Sequence, residues 1–343
     1  MTKQASIKVG GMAVAAGERR YIELPLPDLY NHSRITMPVY VIHGRQPGPR
    51  LFVSAALHGD EINGVEIIRR LVRLKALDAL RGTLLAVPVV NVFGFLSKSR
   101  YLPDRRDLNR SFPGHESGSL AARIAHLFME EIVSRATHGI DLHTAAIGRD
   151  NLPQIRVDLN GKPELTALAC AFQTPVVLNA TIREGTLRQA ASGHNVDTIL
   201  YEAGEALRFD EIPIRVGVRG IVAVMRHLKM LPPSRRRQPA FEPLMSNASK
   251  WVRTPQSGIM RVTKAMGSVV QEGDTLGYVA DPFGTTEVTV RATSSGIIIG
   301  RSTLPLIHEG EAIFHIAQIS KGHDVASALQ YLHHEMDPDT GTL

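Results

Sequence analysis

The sequence predicts an α/β domain with a mostly parallel or mixed sheet, followed by a small all-β unit. Three observations carry this. Apolar, strand-like runs alternate with helix-periodic runs through the first two thirds of the chain. The chain then breaks at Pro232-Pro-Ser-Arg-Arg-Arg-Gln-Pro239, where prolines on both sides of an arginine run mark a linker. Beyond it the helical period disappears, and short strands repeat between glycine turns.

Residues 21–27 and 35–42 read as strands, the first cut off by Pro25 and Pro27. Residues 50–57 form an apolar run suited to a sheet covered on both faces. His58-Gly-Asp-Glu-Ile-Asn-Gly64 is a turn, and residues 65–77 carry apolar side chains at helical spacing. A second buried strand is expected over 84–92, an amphipathic helix over 119–137, and a strand over 139–143 that ends in a histidine. Residues 163–172 predict a helix, 198–201 a strand leading into Glu202, and 212–231 one more long helix. Ligands of such sheets bind beyond the carboxyl ends of the strands. His58, His143 and Glu202 all fall there.

In the trailing part, Gly258 and Gly273 mark one β unit, and Gly296 and Gly310 mark an echo of it. This pattern suits a small barrel or sandwich of quasi-twofold symmetry. Its glycine turns, with Glu272-Gly-Asp274, resemble the lipoyl/biotinyl carrier fold. Residues 278–290, between the copies, hold no lysine. A structural or oligomerising role is therefore expected in place of covalent carriage, and a homo-oligomer is compatible with it. The expected division is a hydrolase-like domain over 1–232, a linker over 233–239, a β domain over 240–320 and a tail over 321–343 holding His333-His334-Glu335. Whether the strands in residues 1–45 pack instead on the C-terminal part is left open.

Composition narrows the function classes. Hydrophobic residues at 43% supply a core, and 21% charged residues are too few for a disordered chain. The single cysteine, Cys170, excludes an intrachain disulfide and a cysteine-rich zinc site. A metal here would need histidine and carboxylate ligands. The amino terminus lacks the apolar segment of a signal peptide, and no stretch is long and apolar enough to span a membrane, so a cytoplasmic protein is expected. The net charge of +6 suits a small anionic substrate. With 5% aromatic residues and no aromatic–basic motif, a nucleic-acid partner is not expected.

The chemistry gathers in three places. His58-x-x-Glu61 puts an imidazole and a carboxylate on one turn directly after a buried strand. Asp141-Leu-His143 ends another strand; Asp141 and His143, two apart, face the same side, so Asp141 could orient His143. Two histidines and one glutamate would leave a zinc ion one open position, the mark of a catalytic site. Between them, residues 100–114 form an arginine-dense loop bounded by prolines, where guanidinium forks and an asparagine amide could hold a carboxylate.

His58-x-x-Glu61, then Asp107-Leu-Asn-Arg110-x-Phe-Pro-Gly114, then Asp141-Leu-His143, in that order, resembles the succinylglutamate desuccinylase/aspartoacylase family of zinc carboxypeptidase-like hydrolases. The resemblance implies a mixed-sheet domain with helices on both faces and one Zn2+ per chain held by His58, Glu61 and His143. By position, Asn109 and Arg110 would grip the substrate carboxylate, and Arg188 would be a further anion-binding group. Arg100 would polarise the scissile carbonyl, with Arg105 or Arg106 as alternatives. Glu202, in Tyr201-Glu-Ala-Gly204, would be the general base. The implied activity is removal of an acyl group from a small anionic N-acyl amino acid by metal-activated water. A zinc carboxypeptidase acting on short peptides and a non-catalytic binding protein are the competing readings.

Overall fold

The computed structural model describes residues 4–234 and 242–319. Most of the expected linker and the tail with His333-His334-Glu335 lie outside the described residues. Nine strands make one mixed sheet. From one edge to the other they run Leu244–Ser246, Val176–Asn179, Gln154–Val157, Asp197–Glu205, His138–Ala145, Gln46–Ala55, Arg81–Val87, Thr36–His43 and Arg19–Pro25. The four strands Asp197–Glu205, His138–Ala145, Gln46–Ala55 and Arg81–Val87 are mutually parallel. Their carboxyl ends therefore open on the same side.

Helices cover both faces, which is why the central strands are apolar at nearly every position. On one face Ile67, Ile68 and Leu71 of Asn63–Leu71 pack with helices Pro163–Ala171 and Glu211–His227. On the other, Ala121, Ile124 and Phe128 of Leu120–Glu131 meet Leu187, Ala190 and Ala191 of Leu187–Gly193. Ser119 begins the first of these helices as its N-cap, its hydroxyl accepting from the Ala122 amide at 3.3 Å.

Several boundaries differ from expectation for local reasons. The run 65–77 is helical only to Leu71; Leu74 is extended (ψ 127°), and the chain restarts as the 3-10 turn Lys75–Ala79. The helix expected to reach 231 ends at His227, because Lys229 turns left-handed (φ +57°) and sends the Met230 amide back to the Met225 carbonyl. The strand expected to reach 92 ends at Val87; Asn91 caps a new helix, Val92–Ser97, accepting from the Gly94 amide at 2.8 Å. Arg19–Pro25 and Thr36–His43 complete the edge of the large sheet beyond Arg81–Val87. Leu244–Ser246, beyond the proline–arginine break, adds a strand at the opposite edge.

Ile7–Val9 and Met12–Val14 pair as a separate two-stranded sheet, and the remaining strands form two antiparallel sheets around Leu276, Val279, Ile298, Ile313 and Phe314. The glycine echo has a steric basis. A Cβ on Gly258 would lie 2.4 Å from the Ala280 carbonyl oxygen, and one on Gly296 would lie 2.1 Å from that of Ala317. One backbone approach is thus built twice. No helix among the described residues is long and apolar enough to cross a membrane.

Candidate active site

The site forms where three parallel strands end side by side. Register aligns Ser54 with Asp141, and His143 with Glu202, so the groups following Gln46–Ala55 meet those of the other two strands at one level. Leaving its strand, the chain turns at Ala56 (φ +47°) and places His58 and Glu61 on one tight turn. Gly59 in that turn lies against the backbone of Gly94, where a Cβ would come within 1.9 Å. No other residue type fits there.

His58, Glu61 and His143 are buried, and one donor atom from each lies within 4.8 Å of the others. Glu61 sits between the imidazoles, with Oε1 at 2.7 Å from His58 Nδ1 and Oε2 at 2.6 Å from His143 Nδ1. Each far ring nitrogen faces an aspartate: His143 Nε2 lies 2.8 Å from Asp141, and His58 Nε2 lies 3.1 Å from Asp107. Asp141 is itself fixed by the Ser54 hydroxyl, which donates at 2.7 Å. Arg100 bridges the acids, reaching Glu61 at 3.2 Å and Asp107 at 2.9 Å.

These contacts decide the charge states. Burial alone would keep His143 neutral, yet Asp141 and Glu61 outweigh it and raise its pKa well above the ordinary 6.5. Burial likewise opposes charge on His58, and Glu61 and Asp107 raise it. Burial would raise Glu61, but the two imidazoles hold its carboxyl far below the usual carboxylate range. The result is a carboxylate flanked by two imidazoles, each braced from behind by an aspartate. Two imidazoles and a carboxylate so arranged could hold a metal ion, with the aspartates as outer support.

A cavity of about 350 Å³ opens over this cluster. Every predicted site residue lines it: Arg100, Asn109, Arg110, Arg188 and Glu202 beside the three putting donors at its floor. Arg105 and Arg106 are exposed and outside the lining. Asn109 is held by the Leu187 amide, which donates to its Oδ1 at 2.9 Å. Arg188 donates to the carbonyls of Arg156 and Ala180, while burial and Arg156 push its pKa down. Glu202 is held at both oxygens, by the Asn151 amide donating at 2.7 Å and by Arg156 at 2.9 Å.

Sequence reasoning did not single out Arg156, Arg183, Asn151, or Asp107 as a partner of His58. Asp107 stood inside a quoted motif, so its place was in reach. Arg156 and Asn151 lie on strands of four and three residues, too short to show a period. A larger cavity, about 1120 Å³, lies at the amino ends of the parallel strands beside Arg45, Arg81 and Arg226. Among the described residues, no histidine–carboxylate group with metal-binding geometry lines it.

Fold and site together define a mixed α/β protein with a buried histidine–carboxylate centre at the carboxyl edge of its sheet. Residues 47–228 match the succinylglutamate desuccinylase/aspartoacylase catalytic domain. The chain belongs to that family. A relative, the N-alpha-acetyl-L-2,4-diaminobutyric acid deacetylase of Halomonas elongata, is 26% identical over 312 residues, covering 87% of this chain and 91% of its own. Among solved structures, a succinylglutamate desuccinylase/aspartoacylase from Rhodobacter sphaeroides superposes with a TM-score of 0.78 at 24% identity, covering 88% of this chain and 96% of the other. The product-bound ectoine utilization protein EutE (DoeB) from Ruegeria pomeroyi gives 0.77 at 23% identity, covering 88% and 95%. These likenesses extend through the fold well beyond the matched domain.

Proposed function

We propose that this protein is a zinc-dependent amidohydrolase that removes the acyl group from small anionic N-acyl amino acids. The observation carrying the reading is the convergence of His58, Glu61 and His143 beneath a cavity lined by arginines and Glu202. The residues fit a divalent ion: two imidazole nitrogens and one carboxylate, buried, converging, and braced by Asp141 and Asp107. His58, Glu61 and His143 would hold it. Bound zinc supplies a Lewis acid that lowers the pKa of water and polarises a carbonyl.

The protein's own groups supply the rest. Arg110, Arg183 and Arg188 line the cavity and form no ion pair among the described residues, so they favour a substrate carboxylate in fork geometry. Asn109 adds a side-chain amide beside them. Arg100 offers a guanidinium, already in place, to the oxygen that gains charge as the carbonyl is attacked. Glu202 takes the proton from the attacking water and returns it to the departing amine.

The name of the Halomonas elongata relative points to a substrate with a side-chain ammonium. In this cavity Glu61, Asp141 and Glu202 are each already engaged by cationic or hydrogen-bonding partners. The arginine surplus favours substrates rich in carboxylate. Zinc-loaded protein assayed on N-acetyl and N-succinyl amino acids, N-acetyl-diaminobutyrate and dipeptides tests this. Hydrolysis of the acyl amino acids is expected, fastest on the more anionic ones; turnover of dipeptides alone would favour a carboxypeptidase. Glu202→Gln should lower kcat by about 10²–10⁴-fold with zinc retained.

A further inference from the structure

We propose that Asn151 is a positioning residue for Glu202, and that the C-terminal β unit holds Asn151 in place. The inference rests on Glu202 as the base. Asn151 is buried and donates from Nδ2 to Glu202 Oε1 at 2.7 Å. It ends Arg149–Asn151, a strand of three residues that does not belong to the large sheet. That strand instead pairs antiparallel with Gly296–Ser302 of the β unit, Gly300 opposite Asn151 and Arg301 opposite Asp150. So short a strand has little stability alone and takes its position from its partner.

The seam around this pairing is continuous. The Thr303 amide donates to the Gly148 carbonyl at 2.9 Å, and the Leu152 amide to that of Ile299 at 3.0 Å. Gln154 Nε2 donates to the same Ile299 carbonyl at 3.2 Å. Arg149 lies 5.0 Å over the Trp251 ring, which stacks on His315. Leu152, Val176 and Leu178 share one apolar cluster with Ile297, Ile299 and Ala317. Each of these contacts joins the β unit to Asn151 or its neighbours, and the large sheet adds one tie, the Gly148 amide donating to Glu205 at 2.9 Å.

Gly300 sets the last step. A Cβ there would fall 2.7 Å from Asn151 Oδ1, so the glycine leaves the room in which the amide turns its Nδ2 to Glu202. The clashing atom is the end of a side chain, which can move without unfolding the strand. Glutamate has three rotatable bonds, and holding its carboxylate in one orientation before reaction removes an entropic cost from the barrier.

The test uses zinc-loaded full-length protein and steady-state kinetics on the best acyl amino acid substrate. Asn151→Ala is expected to lower kcat by about 10–100-fold, in the range for groups that orient a catalytic residue, with KM within about threefold. Gly300→Ala, outside the cavity lining, should lower kcat in the same way, with zinc content and melting temperature close to wild type. The double variant should be no slower than Asn151→Ala, because both act through one contact. Asn151→Asp keeps the size and loses the donor, so it should share the kcat loss even where Gly300→Ala fails to fold. Wild-type kcat in Asn151→Asp or Gly300→Ala, or losses that multiply in the double variant, would overturn the proposal. If Glu202→Gln is inactive while Asn151→Ala turns over normally, only this inference falls. A fully active Glu202→Gln removes the base and this inference with it.

Discussion

His143 and His315 are equally buried, yet their surroundings drive them in opposite directions. At the centre, burial disfavours charge on His143, but Asp141 and Glu61 overcome it and lift the pKa well above 6.5. At the seam, burial, Arg156 and Arg149 all act together on His315 and push it down to about 3. His315 also leaves Nδ1 without a partner among the described residues, while Nε2 meets the Ser249 hydroxyl at 2.8 Å. Burial alone therefore says little about a histidine; the sign of the charges beside it decides. One is set up to sit between acids where a cation fits, and the other is a neutral ring stacked on Trp251 at 4.4 Å.

The sharpest way to break this comparison is to remove each ring. In metal-free protein, His143→Ala should cost about 3–5 kcal/mol in urea unfolding, because Asp141 stays buried without a counter-charge and Glu61 loses one of its two imidazoles. His315→Gln should cost about 1 kcal/mol or less, since a neutral ring with one hydrogen bond is lost. Equal losses would show that the two rings do the same structural work.

The arginines divide in the same way. Arg110→Ala, in the cavity, should raise KM by about 10–100-fold, the loss of charge-assisted bonds worth roughly 1.5–3 kcal/mol. Arg149→Ala, at the seam, should leave KM unchanged, as read by initial rates over substrate concentration.

The smallest effects are in pH dependence. The unfolded state protonates His315 below 6.5 while the folded state resists to about 3, so its contribution is lost as pH falls through that window. Asp150, opposite Arg301 on the same seam, does the reverse. Burial and the neighbouring Asp210 raise it to about 6, so its ionised form strains the fold above that pH and is relieved as pH falls toward 4. Allowing for solvent screening, Asp150→Asn should stabilise by about 1 kcal/mol at pH 7.5. That gain should shrink toward zero by pH 4 in melting experiments; a gain unchanged with pH would exclude Asp150 as its source.

The same contrast explains what the sequence disclosed. His58 and Glu61 follow one apolar strand, and His143 and Glu202 lie near the carboxyl ends of two more, so the rule for sheet carboxyl ends points to a single site. The central helices and strands were legible because each buries a long periodic or continuous apolar face. Gln154–Val157, Val176–Asn179 and Leu187–Gly193 were missed, being too short to carry a period. The support for Glu202 was also out of reach. Asn151 meets it through a strand borrowed from a unit some 150 residues further along, a pairing set by tertiary packing that no local pattern encodes.

Metal analysis of the purified protein and its single-ligand variants tests the central claim most directly. The account predicts about one zinc per chain in wild type, Glu202→Gln and His315→Gln, and its loss in His58→Ala, Glu61→Gln and His143→Ala. Zinc retained at wild-type stoichiometry in those three variants would contradict it.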